Sequence, residues 1–488
     1  MISNGATIEN KHRQVDNKLI ITGNDKGHVG MQSGNILTTF RWNHIFTNRL
    51  FSNTTFSYSR YYQKNVLKND RTRTYDASDL DPPQTVTAHE FYELQNNFGI
   101  VDWSGKIAFD YLPSPDHYVR FGLGAIYHTF NPGIVTIRDT TGKSDYGASK
   151  VYAWEYSAYI EDDIRLTERL KTNIGLHWSS FSVGDKFYSI LQPRISARYL
   201  ITPQLSAKVS YARMAQYVHL LSNSFGGFPL DLWVPTTETL RPQTANQIAF
   251  GIAHDFKEDY ELSVEGYYKS LTDVLDYREG ANFFNMESNW EQRILQGTGR
   301  NYGMEFYVQK KTGAFTGMAG YTLSWSDRHF DELNGGRRFP YKYDRRHDIS
   351  IALIQRFERY NRRKNKPKII ELSGAWVFSS GHCATLPVGF FETRHPVYRE
   401  RDTRMWYRYY DYGERNNYRM KPYHRLDLSI SFIKQKKWGE RRWVWSIYNA
   451  YNRFNPYHVD IEYRDDSYKI IQYSLFPIIP SLSYHLKF

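Results

Sequence analysis

The 488-residue chain has one cysteine, Cys383, so neither a disulfide framework nor a cysteine metal cage is open to it. It has no run of about 18 apolar residues, which excludes a transmembrane helix. No Pro-, Gly- or Ser-rich linker and no shift in composition divides it, so one continuous architecture is read, not several soluble domains. HExxH, GxSxG, P-loop and GxGxxG patterns are missing from any strand-helix context, and segments of helical period are scarce. The adjacent pair His382 and Cys383 has no further ligands at metal spacing and reads as a loop histidine beside a small side chain at a strand end. No catalytic residue, metal or cofactor is expected. Met1 is followed by ISNGATIENKHRQVDNK, which has neither a charged and apolar leader nor a cleavage site.

What is present is aromatic and alternating. Tyr, Phe and Trp number 40, 29 and 12, together 17% of the chain, and they recur near the ends of apolar stretches. The mean hydropathy of −0.64 looks soluble, yet strands that alternate lipid-facing with lumen-facing residues average to a polar score. Ala319, Tyr321, Leu323 and Trp325 share one face of a strand, and Gly320, Thr322, Ser324 and Ser326 share the other. Val119, Phe121, Leu123, Ala125 and Tyr127 oppose Arg120, Gly122, Gly124 and His128 in the same way. Leu426, Leu428, Ile430 and Phe432 likewise oppose Arg425, Asp427, Ser429 and Ser431. Such segments exceed the usual strand of a soluble sheet, and their length favours a membrane barrel over a soluble Tyr-rich sandwich.

The net charge of +12 is spread among acidic residues. Its one dense run, Arg359 to Lys368, reads as a solvated turn, and no nucleic-acid partner is expected. Eight connections are short, near Thr47-Arg49, Pro113-Asp116, Thr167-Arg169, Thr202-Gln204, Lys257-Asp259, Lys311-Gly313, Arg359-Lys366 and Gln435-Arg441. They alternate with mostly longer, irregular stretches at about 64–88, 131–149, 216–242, 277–298, 327–344 and 381–421, as periplasmic turns and outer loops do. The expected fold is therefore an all-β, transmembrane antiparallel β-barrel with about seventeen strands, beginning at Gly34 and running inward from the outer face.

Several stretches resemble the C-terminal barrel of TonB-dependent outer-membrane receptors. They are RWNHIFTNRLFSNTTFSYSRY (41–61), HYVRFGLGAIYHTFNPG (117–133), DLWVP (231–235), RRFPYKYDRRHDISI (337–351), RLDLSISF (425–432), YNAYNRFNPY (448–457) and FPIIPSLSYHLKF (476–488). The resemblance runs from about residue 30 to the end. It implies 22 strands around an N-terminal plug, and energised uptake of a scarce large substrate such as a siderophore, corrinoid or glycan. Neither the plug nor the box that engages a TonB-type transducer is recognisable. The expectation is thus a partial barrel, with 1–33 a remnant of an outer loop, 34–488 the barrel strands and loops, and the gene start upstream. It implies as partners the transducer acting through a plug, and the barrel-assembly machinery reading the terminal Phe488. It also implies the outer membrane with its lipopolysaccharide and, by analogy, a surface lipoprotein. A plugless porin of 16 or 18 strands and a barrel enzyme with Ser, His and Asp at the rim are the alternatives.

Two stretches are candidates for substrate contact. Between Tyr398 and Tyr423, Trp406, Tyr407 and Tyr409 stand with Tyr410 and Tyr412 among Arg399, Arg401, Arg404, Arg408 and Arg415, a mixture suited to sugars, flat chelates and acidic groups. The other reading is a self-packed loop whose arginines meet lipopolysaccharide phosphates. In 223–235, Trp233 either aims into the vestibule or belongs to a proline-stabilised loop cover. Arg345 and Arg346 beside Asp344 and Asp348 read as a lumenal ion-pair ladder.

Overall fold

The computed structural model describes residues 2–16, 19–77, 84–147, 149–222, 231–257, 259–279, 290–361, 366–394, 406–436, 439–464 and 467–487. The chain opens with β1 (Ile2–Asp16), β2 (Leu19–Thr47), β3 (Leu50–Ala77), β4 (Gln84–Ser114), β5 (His117–Asp139) and β6 (Gly142–Gly147). Next come β7 (Val151–Arg165), β8 (Leu170–Val183), β9 (Lys186–Leu200), β10 (Leu205–Gln216), β11 (Val218–Ser222) and β12 (Asp231–Pro235). They are followed by β13 (Gln243–Phe256), β14 (Tyr260–Tyr277), β15 (Ile294–Lys310), β16 (Phe315–His329) and β17 (Phe339–Pro340). Then come β18 (His347–Asn361), β19 (Lys366–Ser379), β20 (Cys383–Ala384), β21 (Gly389–Arg394), β22 (Trp406–Asp411) and β23 (Tyr418–Arg419). The last are β24 (Tyr423–Lys436), β25 (Gly439–Tyr448), β26 (Pro456–Arg464), β27 (Ser467–Ser474) and β28 (Ile479–Lys487).

Each wall strand pairs antiparallel with the next wall strand in the chain, giving an eighteen-strand meander from β1 to β28 that skips the short loop strands. Counted from β2, which carries Gly34, the wall has seventeen. Among the described residues the β1 partnership of β2 ends at Ser33, and residues 34–47 of β2 and all of β28 each have one paired side.

Of the eight expected short connections, those near Thr47-Arg49, Pro113-Asp116, Thr167-Arg169, Thr202-Gln204 and Lys311-Gly313 are tight turns, and three of these repeat one device; the connections at Lys257-Asp259, Arg359-Lys366 and Gln435-Arg441 include residues outside the described ones. Thr47, Thr167 and Thr202 each turn their hydroxyl back to accept from the backbone N–H groups two and three residues on, ending at Leu50, Leu170 and Leu205. A side chain that satisfies two turn donors makes a Thr-x-x-Leu reversal cheap to form. At the opposite end the sheet departs from expectation. The stretches at 64–88 and 131–149, expected to be irregular, are largely strand, because β2 to β4 run for 29, 28 and 31 residues and stay paired. Residues before Gly34 form the β1–β2 hairpin. These strands are far longer than the 9–11 residues needed to cross a bilayer, so their upper halves stand clear of it.

The pleat divides the wall as expected. Leu123, Trp103, Ile160 and Phe250 lie on the outward face and are highly exposed, whereas Arg120 turns inward between Glu161 (3.2 Å) and Asp163 (2.9 Å). Asn173 donates to the same Asp163 at 2.8 Å, so charge and amide groups tie β5, β7 and β8 together on the lumen side. His128 is buried between Asp102 (2.8 Å) and Glu155 (3.5 Å), linking β4, β5 and β7.

Candidate functional site

Above the wall, the connections fold over the mouth and build small cores of their own. The β11–β12 hairpin is the best defined. Its register places Leu221 opposite Leu232 and His219 opposite Val234 on one face, and Leu220 opposite Trp233 on the other. The first face is buried against Phe98 of β4, Tyr277 of β14 and Ile294 of β15, with Leu240 beside them. The second leaves Trp233 37% exposed between two buried neighbours. The hairpin is closed at its base by the Thr236 N–H donating to the Tyr217 carbonyl at 2.7 Å. His219 Nε2 lies 3.1 Å from the Thr236 hydroxyl. Burial pushes the His219 imidazole down to about 4, so it is neutral at physiological pH.

A neighbouring outer turn meets this hairpin's C-terminal side. Gly184 sits at φ +52, and a Cβ there would run into Glu238, whose carboxylate accepts from the Asp185 N–H at 2.9 Å. Only glycine fits that left-handed position at such close approach.

The second candidate stretch follows a different wall. Trp406, Tyr407, Arg408 and Tyr409 lie on β22, in register with Arg394, Thr393, Glu392 and Phe391 of β21. Phe390 of that hairpin touches the Tyr468 ring of β27 at 4.7 Å, and Leu386 and Met420 pack with Val459 of β26. Trp233 is thus held over β4 and β14–β15, and the 406–409 segment belongs to loops packed on the β26–β27 hairpin. Arg399, Arg401, Arg404 and Phe488 lie outside the described residues.

Two arginines of this region are tied inward. Arg415, grouped by sequence with the ligand-contacting cations, is buried with its guanidinium 2.5 Å from Asp276 of β14, and its N–H donates to Asn334 at 3.0 Å. Burial raises the Asp276 carboxyl and Arg415 draws it back. Arg419 reaches the buried Asp344 at 2.5 Å, which also accepts from the Ser326 N–H at 2.8 Å. The expected ladder of Arg345 and Arg346 with Asp344 and Asp348 is therefore corrected. Arg345 donates to Ser379 at 3.0 Å, and Arg346 lies 4.4 Å over the Trp325 ring with only a 3.5 Å approach to Asp344. The backbone leaves the regular ladder at 341–346, so alternation no longer sets side-chain direction there.

At the start of this loop Cys383 is buried and His382 half-buried, and burial, helped by Arg345 and Lys342, lowers the imidazole to about 4. Among the described residues no three His, Cys, Asp or Glu side chains are grouped to hold a metal ion. Among the described residues the mouth presents the partly exposed Trp233 ring above a buried apolar core, with Arg415 and Arg419 tied inward.

Comparison with known proteins agrees on the fold. No curated protein matches the sequence. The ferric preacinetobactin receptor BauA of Acinetobacter baumannii is similar in structure at 10% identity and a TM-score of 0.51, covering 99% of this chain and 78% of that one. The FrpB iron transporter of Neisseria meningitidis gives 11%, 0.51, 99% and 78%. The ferric yersiniabactin uptake receptor FyuA of Yersinia pestis gives 11%, 0.51, 99% and 77%. At these identities the likeness is one of fold. The family described as TonB dependent receptor-like, beta-barrel, matches residues 3–452. The chain belongs to the TonB-dependent receptor β-barrel family and is a protein of the outer membrane.

Proposed function

We propose that the chain is the barrel of a receptor that captures a scarce, large substrate at the cell surface and admits it with energy from a TonB-type transducer acting through a plug. The observation that carries this reading is Trp233. A large ring left exposed on a hairpin whose other face is locked into a core is preorganised for contact, because little side-chain freedom remains to be lost on binding. The aromatic and arginine-bearing segment Trp406, Tyr407, Arg408 and Tyr409 is the second proposed contact. Its residue types suit a flat or anionic chelate better than an apolar ligand. Among siderophores, corrinoids and glycans, a ferric chelate is the preferred substrate class, since the three proteins similar in fold named above are two receptors for ferric compounds and an iron transporter. A copper transporter shares the fold to the same degree, so the preference rests on the site's chemistry as much as on likeness. Phe488 as the assembly signal and a surface lipoprotein as partner belong to the same reading.

The test is binding by the purified chain in detergent, followed by tryptophan fluorescence, against a panel of ferric siderophores, a corrinoid and an oligosaccharide. One class should bind, and Trp233→Ala should weaken it about tenfold, the loss of one stacked ring. Unchanged affinity in a variant that still shows heat-modifiable folding would remove Trp233 from the site.

A further inference from the structure

The lumen face of β7 to β10 carries cations in one cross-strand row. Arg165 of β7 stands opposite Lys171 of β8, Lys171 opposite Arg198 of β9, and Arg198 opposite Lys208 of β10. The pleat turns them to the lumen, since Lys171 lies two positions from Asn173, which meets Asp163 inside, and Lys208 alternates with the outward Val209. Arg194, four positions up β9 on the same face, has Gly175 and Ala212 as its partners in register, so no acid stands opposite it on either side. Beyond Lys208 the row crosses Gly251, which has no side chain, and meets Glu265 of β14 opposite Glu305 of β15. The sign of the row changes there.

Like charges set directly opposite each other weaken a sheet, and here three such pairs follow one another. Arg165 is relieved by Asp116 at 3.0 Å. The lumenal carboxylates of β7 are already engaged, Glu161 and Asp163 both by Arg120. Among the described residues, Lys171, Arg198 and Lys208 have no ion-pair partner. The three line a cavity of about 530 Å³ just above the tight turns, with Asn173, Ser196 and Ser210 as neutral hydrogen-bonding neighbours and Glu265 at its border.

We propose that Lys171, Arg198 and Lys208 form a lumenal site for a small polyanion, a solute bearing two or more clustered carboxylate or phosphate groups. Cations on three neighbouring strands, about 5 Å apart at the backbone, match anionic groups spaced along one solute better than they match a single monovalent ion. The Arg198 fork takes two oxygens at once, and the lysines act as point charges beside it. Glu265 and Glu305 bound the site on its far side by repulsion. Binding here does not depend on the mouth. Its role as a second station for an anionic chelate coming from above rests on the function proposed for the mouth.

The test is calorimetric titration of the purified full chain in a zwitterionic detergent with tricarballylate, with pyrophosphate and, as a monovalent control, with acetate. At least one polyanion should bind where acetate does not, its identity telling carboxylate from phosphate, and its affinity should fall as salt is raised. Arg198→Gln should weaken binding about tenfold, and Lys171→Gln or Lys208→Gln several-fold. Glu265→Gln removes the repelling carboxylate and should tighten it. Trp233→Ala should leave it unchanged, so that failure at the mouth and failure here are told apart. Each substitution in the row removes a like-charge contact, so the variants should fold at least as well as the wild type, which heat-modifiable migration checks. Polyanions that stay unbound, as they would if the row faced an acidic polypeptide segment, would overturn the site. So would acetate binding as tightly as the polyanions, affinity unchanged in Arg198→Gln and Lys208→Gln, or weaker binding in Glu265→Gln.

Discussion

The wall and the mouth above it obey the same pleat with opposite preferences. On the lumen side of β14, Ser263, Glu265, Tyr267 and Lys269 give way higher up to buried Leu271 and Val274. On β8, Asn173 and His177 are succeeded by buried Phe181 and Val183, and on β5 Arg120 and His128 by Phe130. Outward, the order reverses, with Leu123 and Phe250 exposed on the wall and Asp327 standing above Trp325. A side chain's preference follows the solvent it meets. The outward face meets hydrocarbon at mid-height and water above, so where β5, β8 and β14 rise under the loops their apolar residues turn inward into the cores of the mouth.

The largest expected effect lies in the mouth. Phe330 is 2% exposed and packs with Leu333 and Phe339. Phe330→Ala should cost about 3–5 kcal/mol, as truncation of a buried aromatic does. The loss should appear as faster hydrogen exchange across 327–346, with the strands below still protected. Uniform loss of protection would mean that mouth and wall form one cooperative unit. The second test concerns the wall. Leu323→Arg, on the lipid face one pleat below Trp325, should destabilise the barrel by about 1–2 kcal/mol in a detergent-to-lipid folding titration, and Thr322→Arg, on the lumen side, far less. Equal costs would show that the faces are misassigned. Tags in 381–421 should also be reachable on intact cells and tags in 359–366 should not; the reverse would invert the orientation of the chain.

Much of the wall was legible because it rests on local signals. Period-two alternation marked the strands, and turn residues such as Thr47, Thr167 and Thr202 marked the reversals, so a count of seventeen from Gly34 agrees with β2 to β28. The upper halves of β2 to β5 were not legible, since outside the bilayer neither face has to be apolar and the alternation fades. The mouth was harder still because its partners are distant in sequence. Nothing near Arg415 announces Asp276, 139 positions away, so the arginine read as a ligand contact. Asp344 has two arginines beside it in sequence and is held chiefly by a third, Arg419, across a loop. His219 went unnoticed inside Val218-His219-Leu220-Leu221, although a histidine within an apolar alternating run was itself a sign of a buried, neutral ring.

That histidine gives the most local prediction. Its folded pKa lies at about 4, below the 6.5 of an unfolded histidine, so folding favours the neutral ring. The hairpin's stability is therefore full above pH 6.5 and declines as the pH falls towards 4, where the unfolded state binds a proton that the folded state resists. By pH 5 the cost is about 2 kcal/mol, charged to the mouth and not to the wall. Trp233 sits on the same hairpin and reports the change by fluorescence. Between pH 7.5 and 5 its emission should shift towards that of a solvated indole and its exposure to quenchers should rise, with heat-modifiable migration of the barrel unaltered. In His219→Leu the ring cannot charge, and the acid response should vanish. A response that survives in that variant with the same midpoint would assign it to another group and leave the β11–β12 hairpin as insensitive to acid as the wall beneath it.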